Sequence, residues 1–311
     1  MLYEKYMGHD PFVTIESSAE YPITHIAPKA FLSCKSLQKL TLPDTIEHIG
    51  DWAFAHMQKL TDLTLPARPI SFGKQVFLDC ENLKRIHLTP NTSGNEGLPL
   101  LLGAAITILQ DMSLLRPEQA GVFETHAGWL ADFDKAVAAF VKSPDEQGFE
   151  PVFYGWFNDE DADSTQLPKY LHKHRSQKLE LAFLRLRYDL YLSKPLKALL
   201  QGYLTDHLPE ELTKHLPATA ADRKVLPYND SPAVPSPQPP RHTITWEQLP
   251  EYCRNEITYI KILEEAGAFT STNIPAFLTH LQDAAPEIKA YLLRLQSSLQ
   301  EKNDFFDNFS L

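Results

Sequence analysis

A cluster of carboxylates behind a run of aromatic residues is the first feature of this sequence that could do chemistry. The carboxylates are Asp159, Glu160, Asp161 and Asp163. The aromatic residues before them are Phe149, Phe153, Tyr154, Trp156 and Phe157. Aromatic rings beside paired carboxyl groups are typical of carbohydrate-binding clefts and of glycosidases, where the pair supplies the acid and the base. An acidic loop beside an aromatic core patch explains the same residues, and we favour this interpretation. The alternative is a carbohydrate-binding or catalytic pocket formed by Trp156, Asp159 and Asp161.

Two pairs of histidines raise the question of a metal site. His172 and His174 lie on a predicted helix, where residues two apart point to different sides. The basic residues around them are Lys169, Lys173, Arg175 and Lys178, and we expect a solvated basic face there. His25 and His48 occupy equivalent positions of a repeat and would lie about 4.8 Å apart at strand spacing. Two imidazoles could share a metal, but a structural zinc site uses four ligands, so we favour a surface ladder and predict no metal site.

Short catalytic signatures are absent from the sequence. There is no G-x-S-x-G, no P-loop, no dinucleotide-binding glycine pattern and no H-E-x-x-H. The three cysteines, Cys34, Cys80 and Cys253, are too few for a disulfide framework, and their odd number does not suit one. We expect reduced, buried thiols with no bridge between Cys34 and Cys80. The sequence therefore predicts a protein that is not an enzyme, without catalytic residues or cofactors.

The charge balance argues against polyanionic partners. A formal net charge of −11 and a pI near 5.5 mean that nucleic acid or an acidic membrane would meet net repulsion. The N-terminal residues carry charges and lack an apolar core, unlike a secretory signal. The longest apolar run, 97–109, is too short to cross a bilayer. We therefore expect a cytoplasmic protein whose partner is another protein, with no nucleic acid or membrane partner.

A period of 23 residues organises the N-terminal part of the chain. The rows in register are Phe31, Phe54 and Phe77; Leu37, Leu60 and Leu83; Leu40, Leu63 and Ile86; and Leu42, Leu65 and Leu88. Such a period predicts one coil per 23 residues, with inward apolar positions that each coil buries against the next. We predict about three coils, a cap strand near Val13 and Ile15, a tight bend at Gly50, a short helical turn before Phe54 and a local shift at Pro69. The apolar stretch from Leu98 to Leu109 is expected to cap the C-terminal end.

The repeated string ITHIAPKAFLSCKSLQKLTLPDTIEHIGDWAFAHMQKLTDLTLP resembles the BspA-like leucine-rich repeat family. Repeats of that family read approximately I..IG..AF..C..L..I.LP, and the resemblance covers about residues 20–90. It implies a solenoid of parallel strands and a bacterial binding protein without catalytic residues in the repeat. Many members of the family are cell-surface proteins, which leaves a cell-surface adhesin as an alternative function.

Helical periodicity replaces the strand pattern from Leu98 onward. The predicted helical faces comprise Trp129, Phe133, Val137 and Phe140; Leu179, Phe183, Leu186 and Leu190; and Ile288, Tyr291, Leu292, Leu295 and Leu299. Seven prolines in residues 217–243 indicate an extended linker. The fold class is therefore α+β, a short leucine-rich-repeat solenoid followed by an all-α region. The expected domains are a repeat domain with its N-terminal cap at 1–92, a helical domain at 98–216, the linker at 217–243 and helical hairpins at 244–311.

The stretch YIKILEEAGAFTSTNIPAFL, residues 259–278, resembles the second helix and turn of an ankyrin-type repeat. Gly267 would end that helix, because glycine adopts a left-handed conformation at little cost. The resemblance implies a stacked helical hairpin with a binding role.

The best functional hypothesis from the sequence is a non-catalytic protein-interaction module of bacterial type. Its candidate binding surface is formed by outward residues of the strands, in two rows: Lys39, Asp62 and Arg85, and Thr41, Thr64 and His87. Mixed charges in these rows suit a protein partner better than a polyanion. Charge reversal at Lys39 and Arg85 is expected to leave the fold intact, because exposed substitutions usually cost within about 0.5 kcal/mol. An enzyme or carbohydrate-binding site around Trp156 and Asp159–Asp163 is the alternative outside the repeat.

Overall fold

The chain divides into two compact units. A computed structural model describes residues 1–90, 97–120, 127–149, 166–207, 256–270, 274–281 and 286–307. The first unit comprises Met1–Ser143 and Tyr188–Ser193, and the second comprises Pro144–Arg187 and Lys194–Leu311. None of the helices in the described ranges has both the length and the apolar character that crossing a bilayer requires.

In the described part of the first unit, eight short strands form two parallel sheets. One sheet contains, in order, β1 Leu2–Tyr3, β3 His25–Ile26, β5 His48–Ile49 and β7 Ser71–Phe72. The other contains β2 Phe12–Thr14, β4 Lys39–Thr41, β6 Asp62–Pro66 and β8 Arg85–Thr89. From β3 onward, each strand pairs with the strand 23 residues later. The predicted solenoid and its period are therefore confirmed.

The N-terminal residues form a fourth coil in front of the three predicted ones. β1 pairs with β3 at an offset of 23, Leu2 opposite His25, but β2 pairs with β4 at an offset of 27, Phe12 opposite Lys39. The first coil therefore has four residues fewer between its two strands than the next coil. Val13 lies in β2, as the predicted cap strand requires. The uneven spacing explains why the 23-residue period does not reveal this coil.

Aromatic rings form a column through the coils. Phe31, Phe54 and Phe77 are buried, with ring centroids 5.5 and 5.6 Å apart along the column. At the N-terminal end, Tyr3 and Tyr6 stack on Phe31 at 5.4 and 5.5 Å. Burying each side chain of this size contributes about 1.5–3 kcal/mol. The column joins the first coil to the others although that coil lacks the repeated phenylalanine.

Each of the three later coils closes through tight turns that hold two residues in the left-handed region of backbone space. These residues are Lys29, Ser33, Trp52, His56, Gln75 and Asp79, with φ between 49° and 61°. The coils hold one another's turns through backbone hydrogen bonds, for example from Phe31 N to Ala53 O at 2.8 Å. The short helical turn predicted before Phe54 is wrong, because the segment is a series of hydrogen-bonded turns.

Gly50 is needed for close packing between coils. A Cβ atom on Gly50 would lie 2.5 Å from the backbone nitrogen of Pro28, in the preceding coil. A Cβ atom on Gly73 would likewise lie 2.6 Å from the backbone nitrogen of Asp51. The sequence analysis interpreted Gly50 as a tight bend. The structure gives a different reason for glycine: neighbouring backbones are too close for a Cβ atom.

The third coil keeps the register of the others despite Pro69. Ser71 pairs with His48 before the turn into the last strand, and Arg85 pairs with Asp62 after it, both at an offset of 23. The predicted local shift therefore does not reach the strands.

Helix α1, Leu98–Thr107, covers the C-terminal end of the repeat. It packs against β8 and buries Leu98, Leu101, Leu102, Ala105 and Ile106. A Cβ atom on Gly103 would lie 2.1 Å from the carbonyl oxygen of Lys84, so only glycine allows this approach. The helical cap predicted for this stretch is therefore present.

After α1, further helical segments follow in the described residues up to Ser143. A 3₁₀ turn at Met112–Leu114 is followed by α2, Pro117–Ala120, and α3, Ala127–Lys142. Trp129 stacks on Phe133 at 5.4 Å and donates a hydrogen bond from Nε1 to the carbonyl of Leu114 at 2.8 Å. The predicted helical face is confirmed, with Val137 also buried and Phe140 half-buried.

The second unit consists of helices in its described part. They are α4 Gln166–Arg187, α5 Lys194–His207, α6 Ile257–Glu265, α7 Ile274–Leu281 and α8 Pro286–Asp307. Phe183 of α4 meets Tyr259 of α6 edge-on at 5.8 Å. Gly267 has φ +72° after α6, as predicted for a helix end. The predicted stripe of α4 stops at Arg187, so Leu190 lies beyond the helix. The predicted linker at 217–243 lies outside the described residues.

Candidate binding surface

The two predicted rows of outward residues exist in the structure. Parallel pairing places Lys39, Asp62 and Arg85 opposite one another on β4, β6 and β8. The same pairing aligns Thr41, Thr64 and His87. Successive strand residues point to opposite sides, which is why these rows face away from the buried Leu40, Leu63 and Ile86. We refer to the two rows together as the strand face.

The strand face continues onto the first coil. β2 adds Phe12 to the row of Lys39 and Thr14 to the row of Thr41. Phe12 is 62% exposed, and the Nζ atom of Lys39 lies 6.0 Å from the centre of its ring. This is within the range of a cation–π contact. The N-terminal end of the surface therefore offers an exposed aromatic ring beside an ammonium group.

Asp62 departs from the prediction, because its side chain is not available at the surface. The residue is only 7% exposed. Its carboxylate accepts hydrogen bonds from Arg85 Nε at 2.7 Å and from the Thr61 hydroxyl at 2.7 Å, and it lies 3.2 Å from His87 Nε2. Arg85 and His87 keep side-chain exposures of 45% and 42%. Asp62 thus organises two exposed side chains instead of presenting a negative charge.

The surroundings of Asp62 fix its charge. Burial alone raises the pKa of this carboxyl group, but hydrogen bonds from Arg85, Thr61 and His87, together with the charge of Arg85, outweigh burial and lower the pKa to about 2. Asp62 is therefore ionised at neutral pH and neutralises part of the positive charge beside it. The accessible chemistry of the strand face is that of Lys39, Arg85 and His87, with the hydroxyl groups of Thr41 and Thr64 between them.

A second polar cluster lies in the other compact unit and was missed by sequence reasoning. Asp145 accepts hydrogen bonds from Arg175 Nε at 2.6 Å and from Lys178 Nζ at 2.8 Å. His174 Nδ1 lies 2.7 Å from the backbone carbonyl of Asp145. Lys178 is 1% exposed and His174 5%, so the predicted solvated basic face of α4 is wrong for these two residues, whereas Lys169, His172 and Lys173 are exposed as predicted. Tyr203 of α5 is also buried, and its hydroxyl group has no hydrogen-bond partner among the described residues.

The spacing along α4 contains a signal for this cluster. His174, Lys178 and Ala182 follow one another at four-residue steps on the side of the helix that is buried. Continuing the apolar stripe of α4 toward its N-terminus would have placed both polar residues inside. The residue types of His174 and Lys178 indicate exposure to solvent instead, because lysine is rarely buried unless it is paired. The partner, Asp145, is 29 residues away from His174 and could not be identified by spacing.

The remaining candidates give a mixed picture. The alternative pocket, Trp156, Asp159 and Asp161, lies outside the described residues, as does Cys253. Cys34 and Cys80 are free thiols; Cys80 is buried as expected, whereas Cys34 is half-buried. His25 and His48 form the predicted ladder, with ring centroids 5.7 Å apart. Among the described residues no three histidines, cysteines or carboxylates are grouped so that they could hold a metal ion.

Comparison with known proteins gives one family and one structure. Residues 11–96 match the model of the BspA type leucine rich repeat region in six copies. A solved structure, the T. pallidum leucine rich repeat protein, is 29% identical over 29% of this chain, with a TM-score of 0.27, and the chain spans 42% of that protein. No curated protein matches the chain. The N-terminal repeat of this chain is therefore a leucine-rich repeat region of the BspA type.

Proposed function

We propose that this chain is a non-catalytic binding module that recognises another protein through its strand face. The family match supports an interaction or adhesin-type module in general terms. Leucine-rich repeat regions are generally non-enzymatic, and they generally mediate contacts between proteins. The observation that carries the proposal is the in-register array of polar side chains on β4, β6 and β8, in which Lys39 and Arg85 are exposed.

The chemistry of the strand face favours a partner segment that carries carboxylates. Lys39 and Arg85 are exposed, while the intervening carboxylate of Asp62 is covered. Because strands in a sheet are about 4.8 Å apart, these cations are separated by two strand spacings. Acidic side chains at a similar spacing on an extended partner segment could meet both cations. Such a local attraction operates even though the chain as a whole is acidic.

The test uses substitutions that change the surface and leave the network around Asp62 intact. Charge reversal is unsuitable at Lys39 and at Arg85, because both residues pair with Asp62 in the register and a carboxylate at either position would face the buried carboxylate. The expectation that this reversal leaves the fold intact did not include the contact with Asp62. We propose Lys39→Gln combined with Thr41→Val, which change the strand face without placing a carboxylate beside Asp62. Lys74→Gln is the matched control, since Lys74 is exposed and follows β7 of the other sheet.

Affinity purification of the native full-length protein, followed by mass spectrometry, identifies the partner. Purified partner is then titrated against wild-type protein and the variants. We expect the double variant to lose at least tenfold in affinity, with an unchanged circular dichroism spectrum, and the Lys74→Gln variant to bind as wild type. Unchanged affinity of the double variant would place the binding site elsewhere on the molecule and reject the strand face.

A further inference from the structure

Two histidines on the other sheet of the repeat lie side by side. His25 of β3 and His48 of β5 are direct partners in the parallel register, so their side chains emerge on the same face. Their ring centroids are 5.7 Å apart and the rings are tilted by 47°. His25 is exposed and His48 is half-buried. Both imidazoles are therefore accessible from solvent on one face of the repeat.

A neighbour of His48 can hold the proton of its ring on Nδ1. His48 Nδ1 lies 2.7 Å from the hydroxyl oxygen of Ser71, the next residue along the ladder. The Ser71 hydroxyl can donate its single proton to the backbone carbonyl oxygen of Glu47, 3.4 Å away, and accept a hydrogen bond from Nδ1–H of His48. In that arrangement of the neutral ring the proton is on Nδ1, and the lone pair of Nε2 is available to a ligand.

The same contact also orients the ring of His48. Nδ1 and Nε2 lie on opposite sides of the axis that runs out from Cγ. Because Nδ1 faces Ser71 on β7, Nε2 is turned toward β3, the strand that carries His25. His25 Nδ1 lies 2.8 Å from the hydroxyl oxygen of Thr24, which can accept from Nδ1–H in the same sense. Such hydrogen bonds to the distal nitrogen are the usual support of metal-binding histidines.

The geometry points to a two-histidine site for a divalent transition-metal ion, with Nε2 of His25 and Nε2 of His48 as protein ligands and water in the other positions. Imidazole nitrogens suit zinc, nickel and copper, and each lies about 2.0–2.1 Å from zinc when bound. Rotation about the side-chain bonds of His25 and His48 allows both Nε2 atoms to reach this distance from a single ion. With two protein ligands the site binds reversibly, unlike the four-ligand structural sites that the sequence argument considered.

The experiment uses tag-free full-length protein and NiCl2. Equilibrium dialysis measures the affinity, and NMR measures paramagnetic broadening of the histidine ring signals. We expect selective broadening of the His25 and His48 signals, and a loss of at least tenfold in affinity in His25→Ala and in His48→Ala. Ser71→Ala should weaken binding about tenfold, the lower end of the effect of removing such a supporting hydrogen bond.

His9→Ala and His56→Ala are the matched controls, because both residues are exposed and lie elsewhere on the repeat. Neither substitution should change the affinity. Circular dichroism of every variant confirms that the fold is retained. Unchanged nickel affinity in His25→Ala or in His48→Ala, or broadening confined to other histidines, would overturn the assignment. Unchanged affinity in Ser71→Ala would overturn the role given to the serine in fixing the tautomer of His48.

Discussion

At the scale of single residues, the buried carboxylate of Asp62 fixes the positions of exposed side chains on the strand face. It sits in the centre of the strand face, yet its charge is used to hold Arg85 and His87 in place. A buried carboxylate that receives several hydrogen bonds stabilises the folded protein only while it is ionised. The strand face and the pH dependence of stability are therefore linked through one side chain.

Asp62→Asn should lower stability at neutral pH and leave it unchanged in strong acid. The folded pKa of about 2 lies below the unfolded value of 3.8. The ionised group therefore stabilises the fold above pH 4, and this contribution is lost as the pH falls toward 2. We expect the free energy of unfolding to fall by about 1–2 kcal/mol at pH 7. This is less than the full pKa shift of Asp62 implies, because Arg85 and His87 are partly solvated.

Thermal unfolding of the wild type and the variant between pH 2 and 7 measures this difference. Asp44→Asn serves as control, because Asp44 is exposed and substitutions at such positions change stability little. Equal stability of the wild type and Asp62→Asn at pH 7 would show that the network contributes nothing.

The two described thiols should differ in reactivity. Burial raises the pKa of both, and that of Cys80 reaches about 11. Cys80 also donates a hydrogen bond to the carbonyl of Phe54 at 2.9 Å and is 3% exposed, whereas Cys34 is half-buried. Iodoacetamide at pH 8 should modify Cys34 in the native protein and Cys80 only after unfolding, because the thiolate is the reactive species. Peptide mass spectrometry checks this; a Cys34–Cys80 cross-linked peptide would contradict the coil register.

At this scale, residue type misled the prediction where a partner was distant in sequence. The basic stretch on α4 favours a solvated face for Lys178, but Asp145, 33 residues earlier, pairs with it in the interior. Strand alternation places Asp62 on the outward side of its strand, and this alternation is present in the structure. What the sequence could not indicate is that Arg85 and His87 fold over it.

At the scale of elements, the 23-residue period determined the strand pairs because a parallel ladder converts a sequence offset directly into register. The row of Leu40 predicted the pairing of β4, β6 and β8, and the equivalent repeat positions of His25 and His48 placed those two residues opposite one another. The first coil was missed since its strands are separated by a shorter connection. Helix boundaries were less predictable: the apolar pattern of α4 continues to Leu190, but the helix ends at Arg187.

The contact between α1 and the last coil depends on one glycine. A Cβ atom on Gly103 would lie 2.1 Å from the carbonyl oxygen of Lys84, which belongs to the backbone and cannot move aside easily. Gly103→Ala should therefore destabilise the protein by several kcal/mol, even though alanine favours helix by about 1 kcal/mol over glycine.

Gly128→Ala is the matched control in α3, since no atom of the described residues lies within 4 Å of a Cβ atom there. It should leave stability unchanged or raise it by up to about 1 kcal/mol. Urea unfolding of both variants measures the difference. Equal effects of the two substitutions would mean that α1 does not approach the repeat as closely as described.

At the scale of the whole molecule, the repeat does not end at its last strand. The first compact unit extends from Met1 to Ser143, so that α1, α2 and α3 belong with the coils. Repeat arrays need a polar cap at each end, because a coil without a neighbour exposes its apolar residues. Leu83, Ile86 and Leu88 of the last coil are buried with α1 packed against β8.

A fragment that ends at Asn91 should therefore be insoluble or molten. Without α1 the apolar residues of β8 face water, and about three or four coils are close to the minimum for a stable array. Circular dichroism and thermal unfolding of the fragment, alongside full-length protein and a fragment that ends at Ser143, provide the measurement. Cooperative melting of the shorter fragment near the full-length transition would show that the cap is dispensable.

The steady offset of 23 residues also bears on how such an array can change its length. The coils that contain Phe31 and Phe54 donate equivalent backbone hydrogen bonds to the next coil, and the coils that contain Phe54 and Phe77 make the same glycine contact with the coil before. Duplicating 23 residues within the array would add one coil and lengthen the ladder by about 4.8 Å, and both end structures would keep their neighbours. A gene coding for this architecture can therefore gain or lose binding surface in units of 69 nucleotides, whereas any insertion of another length must be absorbed in a turn.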